Sequence, residues 1–363
     1  MDLSEYVANL DTKNEFQFFN FEDLSNMNKV FDYYKKYAEQ LLALYNSQDN
    51  IYNQKIDKVL NWQYVWNSSL NAGSREYRYM EQLDMNEGTI FKVYAFFYEW
   101  VNRSTLFENS EKNIVEIRIN LTEHSNGEEL SEIIPMSTSL RKNNIAEYLA
   151  KFAIEIIVAH EVGHLYNGHT EYFFQLQHEL ETDISEQRRK QCLLDLRTLE
   201  YDADTHAVNR ILEEAIHLID TKDKILQSGE NVFNLLQYAI HGLCFLMRIE
   251  KPEKIEQYME LDHPHPISRE MCMIGALKQH FNYLKRARGI KYDHDFENSS
   301  IFWNAENTMC AVKQKDTQQI KDIFQYKSSI LENSCKELEQ NWPNVAKYIK
   351  TSSRLPIEGI DYN

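Results

Sequence analysis

His160, Glu161 and His164 stand in the order HExxH, inside the stretch "IIVAHEVGHLYNGH" from Ile156 to His169. On a helix, positions i and i+4 share a face, with Cβ atoms about 5–6 Å apart. Two imidazoles so placed can both reach one Zn2+ ion, at about 2.0–2.1 Å from each nitrogen. Glu161 lies one residue on, within reach of a water on that metal, where a carboxylate serves as general base. Histidine and glutamate are costly on an apolar helix unless something pairs with them. The surrounding residues here are apolar, whereas a chance HExxH falls more often on a polar surface. The chemistry this spacing suits is zinc-assisted hydrolysis.

A catalytic zinc needs a third protein ligand and an open fourth position. Three residues compete for that place. His169 follows His164 at +5, but the metzincin register asks for Gly at +3 and His at +6, where Asn167 and Thr170 stand. His169 is therefore read as a cap or a surface residue. His178 lies in "LQHELETD", a charged amphipathic stretch, and is read as solvent-facing. Glu200, in "LEYDADTHAV" (199–208), falls on the apolar stripe of a later helix, with Asp204 at i+4 on the same face. Small Ala203 and Ala207 beside them let that helix approach its neighbour. Glu200 is read as the third ligand. Asp204 is read as the acceptor of a ligating histidine's other ring N–H, which fixes its tautomer. The competing reading is a solvated acidic face, since Asp202 is also present.

The elements that must position these residues are mostly helices. The chain has 6 Pro and 10 Gly, and its apolar residues recur mainly at spacings of 3–4. The spacing predicts helices over Asn28–Tyr45, Ile51–Trp66, Asn144 to about Gly168, Gln191–Ile219, Val232–Arg248, Ser268–Arg286 and Gln318–Leu338. Gly168 stands at a C-cap position. A charged linking segment of about 25 residues follows it. Thr89–Val101 fits strand or helix. In "NIVEIRINL" (113–121) Val115, Ile117, Ile119 and Leu121 alternate with polar residues, the period of a half-buried strand. "SSLNAGS" (68–74) and "SNGEE" (125–129) interrupt the pattern. The fold class is mainly α with a small β-sheet, α+β. The expected organisation is an aromatic-rich N-terminal region (1–110), a core (111–290) and a C-terminal helical region (291–363).

Size and charge bound the rest. A chain of 363 residues with 43 % hydrophobic residues, 22 Tyr and 18 Phe can bury a sizeable core. A net charge of −17 argues against nucleic acid and anionic membranes as partners, because both need a basic face. Five cysteines without a CxxC pair point to free thiols in a reducing compartment. The N-terminus has no basic and apolar leader pattern, and "LLQYAIHGLCFLMRI" (235–249) is short for a membrane span. The expectation is a soluble cytoplasmic protein without membrane insertion, acting on a protein or peptide.

HExxH on one helix and Glu200-Tyr201-Asp202-Ala203-Asp204 on a later one resemble the gluzincin peptidases. The likeness is greatest to their family M48, which includes the HtpX-like and CAAX-processing proteases. A third element agrees: His263-Pro264, followed after four residues by Arg269. The resemblance covers about 145–285 and implies a zincin-like metallopeptidase core. It also implies that His263 and Arg269 sit over the zinc-bound water and steady the tetrahedral intermediate. Tyr201 is a further candidate for that oxyanion contact. In this class a sheet edge beside the HExxH helix often pairs with extended substrate, and Asn113–Leu121 is the strand expected to do so. The chain departs from most such members, which are membrane-embedded or exported. A second resemblance is to soluble intracellular HExxH peptidases of the Lit phage-exclusion type or of repressor-cleaving switches. Two other functions compete. One is a non-catalytic zinc scaffold or regulatory interaction protein, although a purely structural site has no use for Glu161. The other is a metal-free helical interaction protein with core histidines.

Overall fold

The computed structural model describes residues 24–46, 59–65, 67–76, 80–107, 114–121, 130–219, 225–226, 229–251 and 254–353. The expectations for residues 1–23, for the helix start at 51–58 and for "SNGEE" at 125–129 lie outside these.

Leu24–Asn46 forms α1. Its predicted stripe is inward, with Val30, Tyr34, Ala38, Leu41 and Leu42 buried. The next helix expected from the spacing is not one: Val59–Val65 is strand β1. Leu60, Trp62 and Tyr64 alternate inward there, and β-branched and aromatic residues fit a pleated surface. β1 gains its partner only through tertiary pairing, running parallel to β3 (Met80–Asn86) with Val59 opposite Met80. β2 (Ala72–Glu76) pairs antiparallel with β3 on the other side, so the order is β1-β3-β2 and β2 is an edge among the described strands.

Glu87–Arg103 is helix α2. Almost every residue of it is buried, which explains why its apolar and aromatic residues show no single stripe. β4 (Ile114–Leu121) and β5 (Leu130–Ser137) form a separate antiparallel pair. This is the strand the alternation predicts, although Val115 is exposed.

Helix α3 (Leu140–Tyr166) carries HExxH through the middle of the fold. The Ser139 side chain accepts from the Lys142 N–H and starts it. It is buried on all sides from Ile145 to Tyr166. Gly168 takes the left-handed conformation (φ 74°) and turns the chain into α4 (His169–Leu180), a helix within the segment read as a linker. Helix α5 (Glu186–Leu218) starts at a Ser185 cap and packs along α3, with Ala203 and Ala207 fully buried and His206 against Gly163. α6 (Gly229–Glu250) follows. Pro266 then opens α7 (Pro266–Arg288), with the His265 side chain capping the Ile267 N–H. α8 (Ser299–Val312), α9 (Gln318–Tyr326) and α10 (Ser328–Ile349) complete the described chain.

The protein is thus mainly helical with a small mixed sheet. One cluster of buried apolar side chains runs from Val30 to Cys310 and draws on residues of both the 1–110 and 111–290 stretches and on α8. Within α6, Asn231–Glu250 is long and apolar enough to cross a membrane, and 72 % of its most apolar window is buried inside the protein.

Candidate metal centre

The crossing of α3 and α5 brings His160, His164 and Glu200 together. His160 Nε2 and His164 Nε2 lie 3.1 Å apart. His160 Nε2 is 3.4 Å from Glu200 Oε2, and His164 Nε2 is 3.3 Å from Glu200 Oε1. A tetrahedral zinc with ligands at about 2.0–2.1 Å has neighbouring ligand atoms about 3.3–3.4 Å apart. The two carboxylate contacts run to different oxygens of Glu200, each near that spacing, and the two-nitrogen, one-carboxylate group could hold a metal ion.

The other nitrogens of both rings are engaged. His160 Nδ1 lies 2.8 Å from Asp204 Oδ1, off the axis of a straight hydrogen bond. His164 Nδ1 lies 3.0 Å from His169 Nδ1, and His169 Nε2 lies 3.1 Å from Asp202 Oδ2. Each contact in this second chain carries a proton in one arrangement. His164 donates through Nδ1 to His169, and His169 donates through Nε2 to Asp202. That leaves the His164 Nε2 lone pair facing Glu200 and His160.

Arg269, from α7, grips Asp204 with two bonds, Nε to Oδ2 at 2.8 Å and Nη2 to Oδ1 at 2.6 Å. Its Nη2 is also 3.9 Å from Glu200 Oε2. The electrostatics follow this geometry. Burial alone raises the Glu200 pKa, but His164 and His160 hold it well below the usual range. Burial also opposes charge on Asp204, and Arg269 and His160 outweigh it. Burial lowers the His160 pKa, and Asp204 with Glu200 brings it up to about 10. Burial keeps His169 below its ordinary value, in keeping with a neutral link between His164 and Asp202.

Glu161 points into the same cleft, and Ser74 Oγ donates to its Oε2 at 3.0 Å. Ser74 belongs to β2, so the sheet edge beside α3 is β2. β4, the strand expected there, is in the separate pair with β5 and does not line the cleft. The cleft has a volume of about 360 Å³. Ala72, Gly73 and Ser74 line one wall, Phe173 and Phe174 of α4 another, and Ile157, Met247 and Met273 a third.

Other residues fall as follows. His263 lines the cleft with its Nδ1 2.6 Å from Asp262 Oδ1. Tyr201 does not line it. His178 is 81 % exposed at its side chain. His169 is a correction: it is fully buried, neither a surface residue nor a cap for α3. The metzincin register excluded it as a ligand without suggesting a contact behind one, and Gly168 was the signal for that, since a left-handed turn folds the next residue back. Asp202 likewise contacts Asn167 and His169 instead of solvating an acidic face.

Comparison with family models, with curated proteins and with solved structures gave no match to this chain.

Proposed function

We propose that the protein is a zinc-dependent endopeptidase with a zincin-like core, acting on an intracellular protein or peptide in the cytoplasm. The observation that carries this reading is the convergence of His160, His164 and Glu200, whose contacts measure 3.1–3.4 Å, with Glu161 beside them in an open cleft. The five free cysteines agree with a reducing compartment.

His160, His164 and Glu200 would hold the zinc, and Asp204 and His169 keep the two imidazoles turned toward it. A zinc ion in such a site acts as a Lewis acid and lowers the pKa of its water to about 7. Glu161 takes the proton from the attacking water and passes it to the leaving amine. Ser74 holds the Glu161 carboxylate while leaving its second oxygen free for this work. Arg269 is a positioning residue here, since its two bonds to oxygen go to Asp204 and its third goes to Met247 Sδ. His263, on the cleft wall, is the side chain assigned to the oxyanion. β2 offers an edge for an extended substrate, and the flanking walls of Phe173 and Phe174 and of Met247 and Met273 favour bulky apolar side chains in it.

The test is a Glu161→Gln protein used beside wild type in cells, with clipped proteins identified by their new N-termini. The variant should bind one zinc per chain and cleave nothing. Retained cleavage removes Glu161 from the mechanism. Zinc binding with no cleavage by wild type supports a non-catalytic zinc-binding scaffold instead.

A further inference from the structure

Away from the metal centre, two thiols face each other. Cys272 on α7 and Cys335 on α10 have their sulfurs 3.0 Å apart, and Cys335 Sγ is also 3.8 Å from the Ser268 carbonyl. The other three cysteines have no sulfur partner. Cys192 donates to Glu179 and Cys310 to Glu306, and Cys244 is fully buried. Cys192 and Cys310 lie against carboxylates, and burial and Glu270 push up the Cys244 thiol, so a thiolate is disfavoured at each.

We propose that Cys272 and Cys335 form an oxidation site, a dithiol that a hydroperoxide closes to a disulfide linking α7 to α10. The two thiols differ in the way such a pair requires. Cys335 is part-exposed and Cys272 is buried. Cys272 donates to Cys335, and that hydrogen bond lowers the Cys335 pKa and raises that of Cys272, so Cys335 is the more readily deprotonated of the two. Cys335 attacks the outer peroxide oxygen. The S–O bond forms, the O–O bond breaks and the alcohol or water leaves with a proton. Cys272 sulfur then attacks the Cys335 sulfenic acid. The S–S bond forms, the S–O bond breaks and hydroxide leaves as water with the Cys272 proton. Two thiols and one hydroperoxide give one disulfide, one water and one alcohol (a second water, for hydrogen peroxide). Closing 3.0 Å to a bonded distance of about 2.05 Å takes about 1 Å of side-chain movement.

The bond would tie the C-terminal helix to the helix that carries Arg269, one turn from Cys272. The proposal does not depend on the peptidase reading. Full-length protein is treated with hydrogen peroxide, unfolded, and its free thiols are titrated and its peptides mapped. The expected result is loss of two of the five thiols, one linked peptide pair containing Cys272 and Cys335, and full reversal by dithiothreitol. Cys272→Ser should stop at a sulfenic acid on Cys335, trapped by dimedone. Retention of all five thiols, a link between other cysteines or between chains, or over-oxidation of Cys335 without a link in wild type would overturn it. Peptide mapping of wild type decides the matter even where a variant fails to fold.

Discussion

Among the described residues, two buried histidine–carboxylate–arginine clusters are built to opposite ends. In the second, His241 of α6 lies between Glu270 of α7, 2.7 Å from Nδ1, and Glu306 of α8, 3.1 Å from Nε2. Arg248 closes on Glu306 at 2.5 Å. Burial lowers the pKa of both His160 and His241, and their carboxylates bring them up to about 10 and about 9. Proton affinity therefore does not distinguish the two. Direction does. His241 commits each nitrogen to a carboxylate on a different helix and bridges α6, α7 and α8. His160 and His164 each engage Nδ1 behind them and turn Nε2 toward a common point in an open cleft. A metal site needs convergence of lone pairs, and a polar network in the core needs their dispersal.

The widest separation between the clusters is expected in metal content. Glu200→Ala or His164→Ala should reduce zinc in the purified protein to about a tenth of wild type or less. His241→Ala should keep its zinc and instead lose about 3–5 kcal/mol of stability in denaturant unfolding, because buried Glu270 loses its histidine and Glu306 keeps only Arg248 and Cys310. Loss of zinc from a folded His241→Ala protein would erase the distinction.

The second test is in pH, and it compares His241 with its own variant. The folded His241 pKa, about 9, exceeds its ordinary value of 6.5. Its contribution is therefore fully present below about pH 6.5 and is lost as pH rises through about 9, a change of order 3 kcal/mol. Unfolding midpoints measured from about pH 6 to pH 10 should fall more steeply in wild type than in His241→Gln, by about this amount. Equal pH slopes in the two proteins would sink the assignment.

Within the metal centre the effects should be smaller. His169→Ala, which removes the link from Asp202 to His164, should weaken zinc binding about 10–100-fold in chelator competition. Unchanged affinity would make His169 a packing residue only. The least effect is expected for Ser74→Ala, whose lost hydrogen bond to Glu161 is worth about 1 kcal/mol, or about fivefold in cleavage rate, with zinc unchanged. A rate loss accompanied by zinc loss would move Ser74 from the base to the metal.

The sequence discloses these parts unevenly. Helices with a long apolar stripe, α1, α5 and α7, are legible because 3.6-residue periodicity accumulates over many turns. The grouping of His160, His164 and Glu200 is legible because i, i+4 spacing and flanking alanines are local signals. β1 is not, because Leu60, Trp62 and Tyr64 span only a short alternation and the strand exists through its pairing with β3. β2 is hidden among Asn, Gly and Ser, so the residue that holds Glu161 comes from a segment with no strand signature. His169 is missed for a related reason: its contact depends on one glycine's left-handed backbone, which has no periodicity at all.

That glycine has a consequence for timing. A Cβ at Gly168 would stand 2.4 Å from the Ser352 carbonyl carbon and 2.5 Å from the Ser353 nitrogen, so the end of the described chain lies directly over the corner that places His169. Synthesis proceeds at about 5–20 residues per second, so about 10–40 s pass between the emergence of this corner and of the segment that covers it. A chain still on the ribosome has His160, His164 and Glu200 but lacks the cover over the turn behind them, and the corner reaches its final form only after Ser352 and Ser353 have emerged.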